Sequence, residues 1–144
     1  GMGMRGKSRN SANSMENQAK RYLGDIDGKI ADSSVRRSIT QHKMDGEAFS
    51  LTLRRAAEES KTTSAPSPAS SMFKYYGTEQ NKTRFEIILS LMGSQSLGWE
   101  GEGFEPDELT QTRAWLRSKA NSIEGGTSEV QLNIIAKRVL GLPD

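Results

Sequence analysis

The chain has 144 residues, which suits a single domain that buries about two-thirds of the surface its unfolded form exposes. It contains no cysteine and one histidine, so disulfides, thiolate metal sites and histidine-rich metal sites are excluded. The formal net charge is +2 and 33% of the residues are hydrophobic. This low hydrophobic share predicts polar flanks or a surface that meets a partner.

The basic excess lies at the N-terminus. Residues 1–21 hold five basic residues against one acidic residue, a net charge of +4, which leaves −2 on the remainder. The segment is rich in serine, asparagine and glycine and lacks interleaved aromatic residues, which favours a solvated end over a nucleic-acid-binding arm. We therefore predict a polar arm over residues 1–24, flexible or partly helical, a helical domain over residues 25–144, and no nucleic-acid partner.

Apolar residues recurring every three or four positions predict two long helices. The first begins near Asp32, a capping residue, and runs to about Glu59. Its apolar or small face holds Val35, Ile39, His42, Gly46, Phe49, Leu53 and Ala56. His42 is interpreted as a half-buried packing residue, and a ligand or catalytic role is the alternative. A second helix is predicted from Ser70 or Ser71 to Met92, after a break containing two prolines.

The remainder predicts a loop and two shorter helices. Four glycines mark residues 93–104 as a loop, and Pro106 begins a helix that ends near Ala120. The last helix runs from about Thr127 to Leu140. No strand-like alternation is found, and no apolar run approaches the length of a membrane span. Four amphipathic helices with short connections predict an all-α fold, an antiparallel bundle with up-down-up-down order.

The turn Gly-Gly-Thr-Ser-Glu at residues 125–129 is the candidate functional motif. Its glycines allow backbone angles that other residues avoid, while Thr127 or Ser128 can cap the following helix. Glu129 suits the acidic preference of a first helical turn. On local chemistry alone, a helix cap is the more frequent role of such a turn, and a site for an anionic or electron-rich partner is the alternative.

Together with the residues on either side, this turn resembles the C-terminal signature of the acyl-CoA dehydrogenase family of flavin enzymes. Residues 113–119 resemble the short helix that leads into the signature, and residues 91–99 resemble the glycine-containing turn before it. The resemblance covers roughly residues 25–143 and is strongest from about Ser90 onward. Ser90 and Ser94 stand where many relatives have glutamine and glycine, which weakens a cofactor role for that earlier loop.

The resemblance implies a set of site residues. Thr127, Ser128 and Glu129 occupy positions that contact FAD in relatives, and Gly126 occupies a position that lines the acyl-CoA pocket. Gly125 stands where relatives that use a base in this motif have a glutamate. Other members place the base on an earlier helix, so the base is left unassigned here, with the adjacent Glu124 as one candidate.

The other aromatic and basic residues near the signature have two interpretations each. Trp99 and Trp115 are interpreted as structural tryptophans, with stacking on a flavin as the alternative. Arg113 and Arg117 are interpreted as solvating a helix face, with contact to the pyrophosphate of FAD or CoA as the alternative.

The resemblance implies an oxidoreductase. In this family a carboxylate removes the α-proton of an acyl-CoA thioester while hydride leaves the β-carbon for FAD. The enzymes also have an N-terminal helical domain and a β-domain, so we expect this chain to be incomplete and inactive alone. We expect a cytoplasmic homodimer or homotetramer in the complete enzyme. The alternative is a non-enzymatic helical module for oligomerisation or partner binding that retains the fold, an interpretation favoured by Gly125.

Overall fold

Helices dominate the computed structural model, which describes residues 14–63 and 70–143. Within those ranges the elements are α1 (Met15–Leu23), β1 (Asp25–Ile26), β2 (Lys29–Ile30), α2 (Ser33–Thr62), α3 (Ser70–Met92), α4 (Pro106–Asn121) and α5 (Ser128–Ile134). A 3₁₀ turn, Gly93–Leu97, follows α3, and a π-helical segment, Ile135–Val139, continues α5. No helix in the described part of the chain is long and apolar enough to cross a membrane.

The central helix of the fold is α3. It packs against α1, α2, α4 and α5, so its neighbours approach it from several sides. Residues 71–82 are all half-buried, whichever way their side chains point. A helix surrounded in this way does not need a single apolar stripe, because more than one of its faces is in contact with protein.

The main apolar core joins the first half of the chain to the end of α3. Its buried members are Ala19, Ile30, Ile39 and Leu91, and Met15, Tyr22, Val35 and Ile87 pack around them. A second contact lies between α2 and the start of α3, where the Phe49 ring lies 6.1 Å from the Phe73 ring and 5.0 Å from the Tyr76 ring. Aromatic pairs at these separations stabilise helix packing beyond their buried area. The two contacts fix α2 against α3 along its length.

The predicted bounds of the long helices are confirmed to within three residues. Asp32 caps α2, because its Oδ1 accepts hydrogen bonds from the amides of Ser34 at 2.8 Å and Val35 at 3.0 Å. Hydrogen bonds from the Val35 and Ser34 amides and the Ser34 hydroxyl lower the pKa of Asp32, since they stabilise its carboxylate. α3 ends at Met92 as predicted.

The prediction that the chain lacks strands is wrong at residues 25–30. β1 and β2 form an antiparallel hairpin in which Asp25 pairs with Ile30. Asp27 and Gly28, the two turn residues, have φ angles of +50° and +75°. Two positive φ angles are typical of a tight hairpin turn, and Asp-Gly is a preferred pair for it. The strands are two residues long, too short to show an alternating pattern.

Two further corrections concern the number and continuity of the helices. Four helices were predicted, and the described residues contain a fifth, α1, inside the predicted arm. α1 places Ala19 in the core, while residues 1–13 lie outside the described part, so the arm boundary at residue 24 stays a prediction. The predicted last helix is α-helical to Ile134 and then widens into the π-helical segment.

A buried carboxylate connects α1 to α4. Glu108, 3% exposed, accepts a hydrogen bond from the Tyr22 hydroxyl at 2.6 Å and another from the Glu105 amide at 2.9 Å. Beside it, the Arg21 guanidinium lies 2.5 Å from the Asp107 carboxylate at the exposed edge. Burial, together with the hydrogen bond to Glu108, raises the pKa of Tyr22. The neutral hydroxyl is therefore the form that holds the carboxylate.

Replacing Tyr22 tests this connection. Tyr22→Phe keeps the ring but leaves a buried carboxylate oxygen without its donor, so we expect a loss of about 1–3 kcal/mol in unfolding free energy. The measurement is urea denaturation followed by circular dichroism. Tyr76→Phe is the matched control: its hydroxyl meets Gln80 at 3.3 Å within one helix, and we expect a change below about 0.5 kcal/mol. Equal losses in both variants would contradict a special role for the Glu108 contact.

Candidate functional site

Two successive glycines shape the turn between α4 and α5. Gly125 has a φ angle of +67° and Gly126 one of +100°, both in the region that side chains disfavour. The turn is closed by the Ser128 amide, which donates to the Ser122 carbonyl at 3.1 Å. The chain therefore reverses between α4 and α5 within a few residues, and it does so with angles that glycine alone adopts readily.

Two side chains hold the carbonyls of the glycine turn. The Lys74 ammonium of α3 donates to the carbonyl oxygen of Gly126, and the Gln131 amide of α5 donates to that of Gly125 at 3.4 Å. A Cβ on Gly126 would lie 2.8 Å from the Gln131 Nε2, so the end of that side chain would have to move away from the turn. The turn is thus attached to the central helix as well as to α5.

The three residues predicted to contact a cofactor lie together. Thr127 caps α5, because its hydroxyl accepts a hydrogen bond from the Val130 amide at 3.2 Å. The Ser128 hydroxyl oxygen is buried and has no hydrogen-bond partner among the described residues. Glu129 is exposed in the first turn of α5. A buried hydroxyl without a partner is uncommon, and a bound water or ligand is one explanation for it.

An open groove of about 430 Å³ lies where α3, α4 and α5 meet. Its lining residues are Tyr75, Glu79, Lys82, Lys119, Ser122, Ile123, Thr127, Ser128, Glu129 and Leu132. The lining contains the three predicted cofactor residues, but Glu124, Gly125 and Gly126 are absent from it. Four of its residues carry charges, of which Lys82 pairs with Glu79 at 2.7 Å, and Lys119 pairs with Glu86, outside the groove, at 2.6 Å.

The candidate base and the position expected for a base both lie at the surface. Gly125 is exposed and has no ionisable group. The Glu124 carboxylate is 52% exposed and lies 3.2 Å from the Arg117 guanidinium. An exposed carboxylate paired with a guanidinium is in contact with solvent, which is unlike the dry setting in which catalytic carboxylates usually lie.

Arg113 and the two tryptophans make contacts within the protein. The Arg113 guanidinium lies 5.2 Å from the centre of the exposed Trp99 ring and donates to the Trp99 carbonyl at 2.7 Å. The Lys119 ammonium lies 4.9 Å from the centre of the Trp115 ring, whose indole nitrogen is buried without a described partner. Arg113 therefore attaches the glycine loop to α4.

The glycine loop itself is tightly packed at one point. A Cβ on Gly98 would lie 2.5 to 2.8 Å from three ring atoms of Phe104, so the backbone approaches this ring closely. Combined with the Arg113 contact, this packing gives the loop a defined path across the end of α4. The loop displays Leu97, 82% exposed, at the surface.

A comparison with known protein families identifies the family of the chain. The family model for the acyl-CoA dehydrogenase C-terminal domain matches residues 11–140. The chain belongs to the acyl-CoA dehydrogenase family. The resemblance seen in the sequence from the glycine turn and its flanks is thereby confirmed.

Each match to an individual relative covers only part of that relative. Acyl-CoA dehydrogenase IpdE1 of Mycolicibacterium smegmatis is 43% identical over 58 residues, which is 40% of this chain and 14% of that protein. A chain of the ChsE4-ChsE5 complex from Mycobacterium tuberculosis superposes with a TM-score of 0.68 at 24% identity. That match covers 90% of this chain and 35% of the other, and it shows a shared fold. The present chain spans a minor part of either relative.

Sequence reasoning missed the α3 side of this acyl-CoA dehydrogenase groove. Lys74 is 52 residues away from its partner Gly126, and neither it nor Tyr75 was considered as a site residue. Tyr75, Glu79 and Lys82 follow one another at helical spacing, so a polar stripe on α3 was the available signal. This polar stripe does not indicate that α5 lies against α3.

His42, predicted to be a packing residue, lies half-buried in another groove of about 540 Å³ between α2 and α3. Its Nδ1 is buried without a hydrogen-bond partner among the described residues. Burial lowers the pKa of His42; Asp45 acts in the opposite direction and Arg84 in the same one. The neutral imidazole is thus the favoured form in the folded chain.

We expect the two glycines of the turn to differ in their tolerance of alanine. Gly126→Ala should lower the unfolding free energy by about 2 kcal/mol, because its φ angle of +100° is one that alanine rarely adopts. Gly125→Ala meets open space and should cost about 1 kcal/mol. Gly46→Ala in α2 is the control and should be neutral or stabilising. Urea denaturation gives all three values, and equal costs at 125 and 126 would contradict the described turn.

His42 should make stability depend on pH. Because its folded-state pKa lies below the unfolded value of about 6.5, its contribution is present above that pH and is lost as pH falls through the folded pKa. We expect the unfolding free energy to fall between about pH 7 and pH 5 and the fall to be smaller in His42→Gln. Urea denaturation at each pH measures the slope. An unchanged slope in the variant would exclude His42 as its cause.

Proposed function

We propose that this chain is the C-terminal helical domain of an FAD-dependent acyl-CoA dehydrogenase, which removes hydrogen from the α- and β-carbons of an acyl-CoA thioester. Family membership supports the reaction class. The observation that carries a cofactor role is that Thr127, Ser128 and Glu129 line one groove. The Ser128 hydroxyl oxygen beneath that lining is buried and has no described partner, which is a second polar group at this place without a protein contact.

The residues around the groove fit the polar part of a flavin nucleotide. Ser128 offers a hydroxyl that can donate or accept, and Glu129 offers an exposed carboxylate that accepts from ligand hydroxyl groups. Lys82 and Lys119 bring two ammonium groups to the groove lining, each paired with a glutamate. When bound, FAD supplies the acceptor for the hydride that leaves the β-carbon. In this proposal Gly126, whose carbonyl is fixed by Lys74, lines the acyl-CoA side of the turn.

The proton acceptor is proposed to come from outside this turn. Gly125 cannot accept a proton, and Glu124 is paired with Arg117 at the surface and absent from the groove lining. A general base must reach the proton it removes, typically to within about 3 Å of the donor atom. We therefore propose that the chain contributes binding and orientation, and that by itself it is inactive.

The assembly proposed for the complete enzyme is a homodimer or homotetramer of up-down-up-down bundles. α3 packs against both the helix before it and the helix after it, as that order requires. Several large apolar side chains are exposed, among them Leu97, Trp99, Ile123 and Leu140. Exposed apolar surface of this kind is typical of protein interfaces. The fold neighbour from Mycobacterium tuberculosis is itself described as a complex.

A second candidate function is a non-enzymatic module for oligomerisation or partner binding. The specific observation in its favour is the absence of an ionisable group at Gly125 together with the outward pairing of Glu124. Such a module would keep the family fold and the exposed apolar residues without needing the groove. The two candidates differ in whether the groove binds a flavin.

Titration of FAD with the purified chain, followed by flavin fluorescence, separates the two candidates. We expect saturable binding that weakens about tenfold or more in the double variant Thr127→Ala and Glu129→Ala, because polar contacts of this kind contribute about 1 kcal/mol each. The matched control is Thr52→Ala with Glu58→Ala on α2, remote from the groove, which should bind as the parent chain does. Circular dichroism verifies that each variant is folded.

Absence of binding by the parent chain would favour the module. Equal weakening in the matched control would show that the change does not act through the groove, and the cofactor role would be rejected. Binding that survives both double variants would assign the flavin to another surface of the chain.

A further inference from the structure

We propose that Lys74 is a positioning residue for the candidate site, holding the glycine turn in register with the central helix. Its ammonium, half-buried on α3, donates to the Gly126 carbonyl. This role rests on the proposed function of the groove, because it gives the turn a geometry that matters to a ligand.

The glycine turn needs an external attachment. Adjacent glycines lose more conformational freedom on folding than any other pair, so a turn built from them is loose unless contacts define it. Among the described residues, hydrogen bonds to the two glycine carbonyls come from Gln131 at 3.4 Å and from Lys74. Gln131 belongs to α5 and moves with the turn. Lys74 is therefore the contact that relates the turn to α3.

The partner of Lys74 is also informative. In the described part of the chain the other buried or half-buried lysines near the groove, Lys82 and Lys119, pair with glutamates. Lys74 instead meets a backbone carbonyl, and no carboxylate lies within salt-bridge distance of it among those residues. A charged donor makes a stronger hydrogen bond to a carbonyl than a neutral one does. The Lys74 ammonium thus fixes the position of the Gly126 carbonyl, which is 52 residues away in the sequence.

Fixing the position of the Gly126 carbonyl also affects the width of the groove. Ser128 lies two residues after Gly126, and Tyr75 lies one residue after Lys74, and both line the groove. The distance between these two walls therefore depends on the Lys74 contact. Without it, we expect the glycine turn to loosen relative to α3 while each helix stays intact.

Hydrogen exchange measured by NMR on the full chain tests the proposal. The reporters are the amides of Ser128, bonded to the Ser122 carbonyl, and of Val130, bonded to the Thr127 hydroxyl. In Lys74→Met, which keeps the aliphatic stem, we expect exchange at both to rise about tenfold or more, while the amides of α1 and α2 are unchanged. Lys74→Arg should restore protection. Lys61→Met, at an exposed lysine in α2, is the control and should have no effect.

Two results would overturn the proposal. Unchanged exchange at the reporters in Lys74→Met would show that the turn does not depend on this contact. A uniform rise over all helices would show a contribution to global stability instead of local positioning.

A flavin titration of the same variants links the turn to the proposed function. Weaker FAD binding in Lys74→Met than in Lys61→Met supports the role of Lys74 at the site, and equal binding with a loosened turn refutes that role. If the parent chain binds no FAD, the proposed cofactor function fails, and the exchange data alone decide whether Lys74 holds the turn.

Discussion

The packing of α3 against four other helices is the constraint on which the remaining structure depends. Each of those helices is in contact with α3: α1 and α2 through the main core, α2 again through Phe49, and α4 through the ion pair of Lys119 with Glu86. α5 packs on α3 directly, and Lys74 holds the turn that precedes it. A helix that meets neighbours on several sides cannot rotate without disturbing all of them. Residues of α1 and α2 therefore help to fix the position of α3, which forms one wall of the groove.

Two polar contacts further restrict the helix positions that the apolar core establishes. The buried Glu108 carboxylate joins α1 to the start of α4, and the Lys74 ammonium joins α3 to the turn after α4. Buried or half-buried charges are costly unless they are paired, so each of these contacts allows few alternative geometries. The start of α4 and the turn that follows α4 are thereby each held by a hydrogen bond from another helix.

The sequence predicted local features well. Asp32 gave the start of α2, and Pro106 gave the start of α4, because caps and breakers act on their immediate neighbours. The two prolines of the predicted break after α2 lie outside the described residues. The hairpin was missed although Asp27-Gly28 is a recognisable turn pair, since its strands are too short for alternation. Thr127, Ser128 and Glu129 were recognised as a motif, but Lys74 was not, because pairing across 52 residues leaves no local pattern.

The π-helical segment after α5 has a consequence for the C-terminal residues. A π turn contains about one residue more than an α turn, so every side chain beyond it is rotated by about 100° from the position an unbroken α-helix would give. Leu140, the residue that follows the segment, is therefore turned away from the direction that an unbroken α-helix would give it. A single-residue deletion within Ile135–Val139 would remove the extra residue of the π turn and leave the direction of Leu140 relative to α5 unchanged.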